Sequence, residues 1–116
     1  MQEQTEKRRY QRVETHVPLK CGKLRDGSNC KGENSITKDL SLGGMSFRTD
    51  NFIPMANRLI VEISLPEKTK SIKAISKIAW IKKSRSGNGY ETGNQFLEMS
   101  KEDKDSVADY INNIVG

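Results

Sequence analysis

An all-β domain with one terminal helix is the fold class that the 116-residue sequence predicts. Three observations predict it. Apolar and polar residues alternate in a series of short runs, most cleanly at Leu59, Val61, Ile63 and Leu65, which is the pattern of a strand with one buried face. Turn chemistry separates the runs at Asp26-Gly27, at Asn51, Pro54 and Asn57, at Pro66 and at Gly87-Asn88-Gly89. Only the last segment changes period, with Val107, Tyr110, Ile111 and Ile114 at helical spacing. One apolar stripe needs a sheet to cover, so the helix is expected to plug the open side or end of an antiparallel β-barrel. The length allows one modest core and not two.

Residues 1–7 are polar and charged with no apolar anchor, so they read as a flexible N-terminal arm, leaving 8–116 as the single domain. The first strand is expected over 12–21, where Val13, Val17, Leu19 and Cys21 share one parity and Pro18 argues for a sheet edge. The chain returns through 30–40, with Ile36 and Leu40 on one face. Met45 and Phe47 alternate with Ser46 and an outward Arg48 in a short third strand, and Leu59 to Leu65 supplies the fourth. The run 72–83 carries apolar residues on both parities, which predicts a bulge or two-sided burial. Trp80 within it is expected to pack, mostly buried, on the barrel. The last strand spans 90–98. Ser100 followed by Asp103 resembles a helix start, although a capping box takes Glu or Gln at the latter position.

Composition narrows the function classes. Lys and Arg outnumber Asp and Glu by 20 to 15, and the resulting +5 favours an anionic partner: a nucleotide, a nucleic acid or an acidic membrane surface. No apolar run reaches the roughly 18 residues of a spanning helix, and the N-terminus is polar where a secretion signal needs an apolar stretch. A cytoplasmic protein without membrane insertion is therefore expected. Cys21 and Cys30 flank a turn, so a disulfide is geometrically conceivable, but free thiols are expected in a reducing compartment. Two cysteines and the single His16 cannot complete a zinc site, so no metal is expected. No nucleophile stands beside His16 and no Gly-rich phosphate loop precedes a helix, so no catalytic residues are assigned and an enzyme is not expected.

The most pointed stretch is Asp39-Leu40-Ser41-Leu42-Gly43-Gly44. In an extended segment Asp39 and Ser41 project to one face, and Gly43 and Gly44 permit positive φ or a close backbone approach, so the stretch reads as a docking edge. The same residue types also make an ordinary turn, in which short polar side chains bond nearby amides. Upstream, Arg8, Arg9 and Arg12 place three guanidinium groups within five residues; alone they fit a solvated basic arm or a nonspecific phosphate contact.

Taken together, Arg-x-x-x-Arg (Arg8, Arg12) and Asp-x-Ser-x-x-Gly (Asp39, Ser41, Gly44) resemble the two-part signature of the PilZ domain family, receptors for the bacterial second messenger cyclic di-GMP. Both halves match without substitution. Ala79-Trp80 and the run from Tyr90 to Phe96 resemble the family's later strands, in the family's order. The resemblance implies a six-stranded antiparallel barrel with a C-terminal helix. It also implies a cyclic di-GMP site drawn from Arg8, Arg9, Arg12, Asp39, Ser41, Gly43 and Gly44, with no cofactor. The chemistry suits that ligand. Arginine's planar fork bonds guanine N7 and O6 or grips a phosphate, and an acceptor-only carboxylate complements the N1–H and N2–H edge. Binding is expected to fold the arm over a preformed barrel face and so signal to a protein effector, which the sequence does not identify. In the family the residue before the arginines is thought to influence whether one nucleotide or a stacked pair binds, and polar Lys7 leaves both open. Two alternatives stand: a basic nucleic-acid-binding module, against which the lack of interleaved aromatics argues, and a protein-interaction adaptor that binds no nucleotide.

Overall fold

The computed structural model describes residues 11–23, 34–50, 52–55, 57–66, 70–85 and 87–115. The alternating runs form seven strands: β1 (Val13–Glu14), β2 (Pro18–Lys23), β3 (Asn34–Leu40), β4 (Gly44–Thr49), β5 (Arg58–Ile63), β6 (Ile72–Lys83) and β7 (Tyr90–Met99). A single helix, α1 (Lys101–Val115), follows. Every pairing is antiparallel, and the order β3-β2-β5-β6-β7-β4 closes on itself through the pairing of β3 with β4. The result is a closed six-stranded antiparallel barrel with β1 as one extra strand on β3. Closure leaves none of the six strands with a free edge along its paired length.

Inward positions are apolar as the parity predicts. Leu19, Leu40, Phe47, Leu59, Val61 and Ile63 are all at most 2% exposed. Val107 and Ile111 of α1 enter the same core, which accounts for the helical stripe. The helix begins where expected: Ser100 Oγ accepts the Asp103 amide at 3.1 Å, satisfying one of the otherwise orphaned donors of the first turn. Asp103 does not return to the Ser100 amide as a capping box would; its Oδ2 accepts the Lys73 amide of β6 at 3.2 Å and ties the helix start to the barrel. The stripe also ends sooner than its spacing suggests, because Ile114 is 46% exposed beyond the barrel's end.

Three further expectations are corrected by pairing geometry. The first strand is broken into β1 and β2, both on the same side of β3. The break is held by Thr37, whose hydroxyl donates to Thr15 O at 2.6 Å and accepts the Val17 amide at 3.0 Å, bridging between the backbone bonds from Thr15 N to Lys38 O and from Thr37 N to Val17 O. Pro18 opens β2, a strand paired on both sides, and a first position tolerates its missing N–H. Ile36 is 55% exposed while Leu40 is fully buried, so they do not share a face. A bulge between Thr37 and Asp39 shifts the parity. The anticipated irregularity in β6 is present twice, at Ile75/Ser76 and Ile78/Trp80. The second turns the even series outward, so Trp80 lies on the barrel's outer face, 40% exposed rather than mostly buried. Cys21 is buried; its pairing with Cys30 lies outside the described residues.

Candidate functional site

β1 exists as two residues, Val13 opposite Leu40 and Glu14 opposite Asp39. That short pairing anchors Arg12 at the C-terminal end of β3. Its Nε stands 3.7 Å from Asp39 Oδ1, with the Arg12 side chain half exposed and that of Asp39 24% exposed. Arg12 and Asp39, one residue from each half of the sequence signature, therefore meet in space although 27 positions apart in the chain. Exposed ion pairs contribute at most about 1 kcal/mol, so the contact matters for position rather than for stability. It holds a guanidinium and a carboxylate side by side, both open to solvent. Arg8 and Arg9 lie outside the described residues.

The turn after β3 is closed on itself. Ser41 is not extended: its Oγ accepts the amides of Gly43 at 3.1 Å and Gly44 at 3.2 Å, and its own amide donates to Gly44 O at 2.8 Å. This is the turn geometry that the residue types equally allow. Asp39 and Ser41 consequently do not form one exposed wall, since Ser41 is 7% exposed. Neither Gly43 nor Gly44 has positive φ; among the described residues only Gly87 and Gly89 do, both in the β6–β7 turn. Gly44 does serve a close backbone approach, but to its own barrel. A Cβ there falls 2.0 Å from the Asn94 carbonyl oxygen of β7. The Gly43 carbonyl accepts the Phe96 amide at 2.9 Å, pinning the turn to the same strand.

Reading the registers across the sheet extends the site. Asp39 pairs with Ser46, Ser46 with Gly93 and Gly93 with Trp80, so these four residues form one row over the outer face of β3, β4, β7 and β6. Three strand spacings of about 4.8 Å make the row roughly 14 Å wide. Its middle is low, with a serine and a glycine. Its far end is the indole, which lies over Gly93 so closely that a Cβ there falls 2.2 Å from Nε1. Sequence reasoning left Trp80 out of the site; the signal that could have placed it was the double parity of β6. Beside this row lie Lys38, paired with Glu91 at 3.2 Å, and Arg48, whose Nη2 donates to Asn88 O at 2.7 Å. With His16, Ile36 and Asp50 they line a polar groove of about 550 Å³. Among the described residues no group of three or more His, Cys, Asp or Glu side chains is placed to hold a metal ion. No helix of the described chain is long and apolar enough to cross a membrane. The row is a shelf with a guanidinium–carboxylate pair at one end and an aromatic face at the other, Ser46 and Gly93 lying buried between them; its ends offer charge-assisted hydrogen bonds and stacking to a planar, anionic ligand.

The architecture is shared with solved structures. The Bacillus subtilis inhibitor of motility, MotI/DgrA, superposes with a TM-score of 0.75 at 14% identity over 91% of this chain and 50% of its own. YcgR from Escherichia coli, solved in complex with c-di-GMP, gives 0.70 at 19% identity over 91% of this chain and 45% of its own. The chain thus spans about half the length of these two. The PilZ domain of CeSA from a cellulose-synthesizing bacterium gives 0.61 at 18% identity, over 91% of this chain and 99% of that domain. No curated protein sequence matches the chain. Identities this low speak for the fold alone, and the sequence itself supplies the rest: the PilZ domain profile matches residues 6–113, from the arginines into the terminal helix. A closed six-strand barrel, the contact of Arg12 with Asp39 at its surface and a match over nearly the whole chain agree that this protein belongs to the PilZ domain family.

Proposed function

We propose that the chain is a cytoplasmic receptor for cyclic di-GMP and not an enzyme, binding the nucleotide across the outer shelf between Arg12 and Trp80. The observation that carries this reading is the meeting of Arg12 with Asp39 at 3.7 Å. Family membership supports it, as does YcgR, a structural neighbour solved with that ligand.

In this reading Arg12, with Arg8 and Arg9 from the same segment, supplies planar forks for the guanine N7/O6 edge and the phosphodiesters. Asp39 accepts from the N1–H and N2–H edge, an arrangement only guanine satisfies among the common bases. Each good bidentate pair is worth roughly 1 to 3 kcal/mol of discrimination, so two or three suffice for guanine selectivity. Ser41, Gly43 and Gly44 act mainly by holding the turn that presents Asp39. The N-terminal segment docked with its nucleotide gives an effector protein a surface that the free receptor does not present.

Calorimetric titration of cyclic di-GMP, GTP and a short DNA into the wild type and an Arg12→Ala, Asp39→Ala double variant tests it, with Trp80 fluorescence as a parallel readout. The expected result is guanine-selective binding of the cyclic dinucleotide that the double variant loses. Steeply salt-dependent DNA binding without a response to cyclic di-GMP overturns the reading in favour of a nucleic-acid module. Silence toward all three overturns it in favour of an adaptor.

A further inference from the structure

The bulge at Ile78/Trp80 has a second effect: it puts Lys77 and Lys82 on the same outer face, where regular alternation would have sent Lys82 inward. Arg58 joins them, directly opposite Lys77 on β5; Lys83, on the parity of inward-packed Ile81, and Arg85 add charge at the end of the β6–β7 hairpin beside this face. All five are exposed. Among the described residues none of the five has a carboxylate oxygen within ion-pair distance, whereas Lys38, Lys73 and Lys101 each do. Lys82 instead stands 5.5 Å from the centre of the Trp80 ring. The ridge from Lys77 to Lys82 runs about 16 Å, at roughly 3.3 Å per strand residue, with Arg58 beside it on β5.

We infer that this ridge is a docking surface for an acidic polypeptide. A row of uncompensated cations around one half-exposed indole is the complement of a carboxylate-bearing surface. Two features favour a polypeptide over a nucleic acid. The ridge lies on the outside of a closed barrel, which is convex, while nonspecific single-strand binders run the strand along a groove floored by several aromatic platforms. Its flanks also carry carboxylates: Glu91 opposite Lys82, Glu98 opposite Ile75, and Glu62 on β5. A polymer with a phosphate at every residue meets these with like charge. A polypeptide can set neutral residues against them and keep its carboxylates for the lysines, which also fixes its register.

The probe is a fluorescein-labelled peptide of alternating Asp-Glu and Ser-Gly pairs, with an oligothymidylate of equal length beside it, each titrated into the full chain by fluorescence anisotropy at low salt. Arg58→Glu, Lys77→Glu, Lys82→Glu reverses the ridge. Lys70→Glu, Lys101→Glu, Lys104→Glu makes the same change in net charge elsewhere. The expected result is about a tenfold loss of peptide affinity in the ridge variant against a change within about twofold in the control. Should the ridge variant unfold, the neutral Lys77→Gln, Lys82→Gln pair carries the test, with a smaller loss expected in the same direction. Equal losses in ridge and control variants overturn the inference, as does tighter binding of the oligothymidylate than of the peptide.

Discussion

Replacing Gly44 by alanine tests whether this glycine of the signature serves the barrel. The new methyl falls 2.0 Å from Asn94 O, 3.1 Å from its carbonyl carbon and 3.3 Å from Gln95 Cα, all backbone atoms that no side-chain rotation can clear. Reaching the tightest tolerable separation of about 3.0 Å requires β4 and β7 to part by about 1 Å. That strains the bond from Ser41 N to Gly44 O at 2.8 Å and the bond from Phe96 N to Gly43 O at 2.9 Å. Two such bonds are worth about 1 kcal/mol each net. Displacing Met45 and Phe47, 3% and 1% exposed, adds about 1 to 2 kcal/mol of disturbed packing. Against this, alanine restricts the unfolded chain and recovers about 0.4 to 1 kcal/mol. The net expectation is a loss of about 2 to 3.5 kcal/mol, or a melting temperature lower by roughly 8 to 14 °C in a domain of this size. Far-UV circular dichroism melts with urea titration at fixed protein concentration measure it. A melting temperature within about 3 °C of wild type refutes the reasoning and returns Gly44 to a purely ligand-facing role.

Other substitutions isolate single contacts. Thr37→Val removes the hydroxyl that splices β1 to β2 and leaves the Val17 amide buried without its partner, so urea titration should show a loss of about 1 to 3 kcal/mol. Ser100→Ala removes the helix cap and is expected to cost about 1 kcal/mol, read as a melting temperature about 4 °C lower. Ser46→Ala runs the other way: its Oγ is buried with no hydrogen-bond partner among the described residues, so the variant should match or exceed wild-type stability by up to about 1 kcal/mol. A clear loss there would reveal a partner for that hydroxyl. Gly93→Ala should lift the indole of Trp80 from its seat, shifting its emission to longer wavelength with little change in the far-ultraviolet spectrum.

Much of this molecule is written in local pattern. Period-two alternation assigned the inward residues of β5, because burial on one sheet face selects the same parity wherever the strand pairs. The Ser100 cap, the glycine turn before β7 and the helical stripe were legible for the same reason: each is a property of a few neighbouring residues. The two arginine and aspartate motifs were legible as chemistry, though nothing local says that Arg12 comes to rest against Asp39. Pairing between distant strands decided the remainder. The bulges in β3 and β6 are shifts in pairing with β4 and β7, set between strands distant in the chain. They exposed Ile36, turned Trp80 and Lys82 outward and gathered Asp39, Ser46, Gly93 and Trp80 into one row. Whether Gly44 makes room for a ligand or for Asn94 likewise depends on a strand 50 residues away. The sequence by itself determined the fold class, the inward face of β5 and the residues proposed to hold a guanine nucleotide. Only the tertiary structure decided which of them stand together, because register and bulges minimise the energy of the whole closed sheet and not of any one strand.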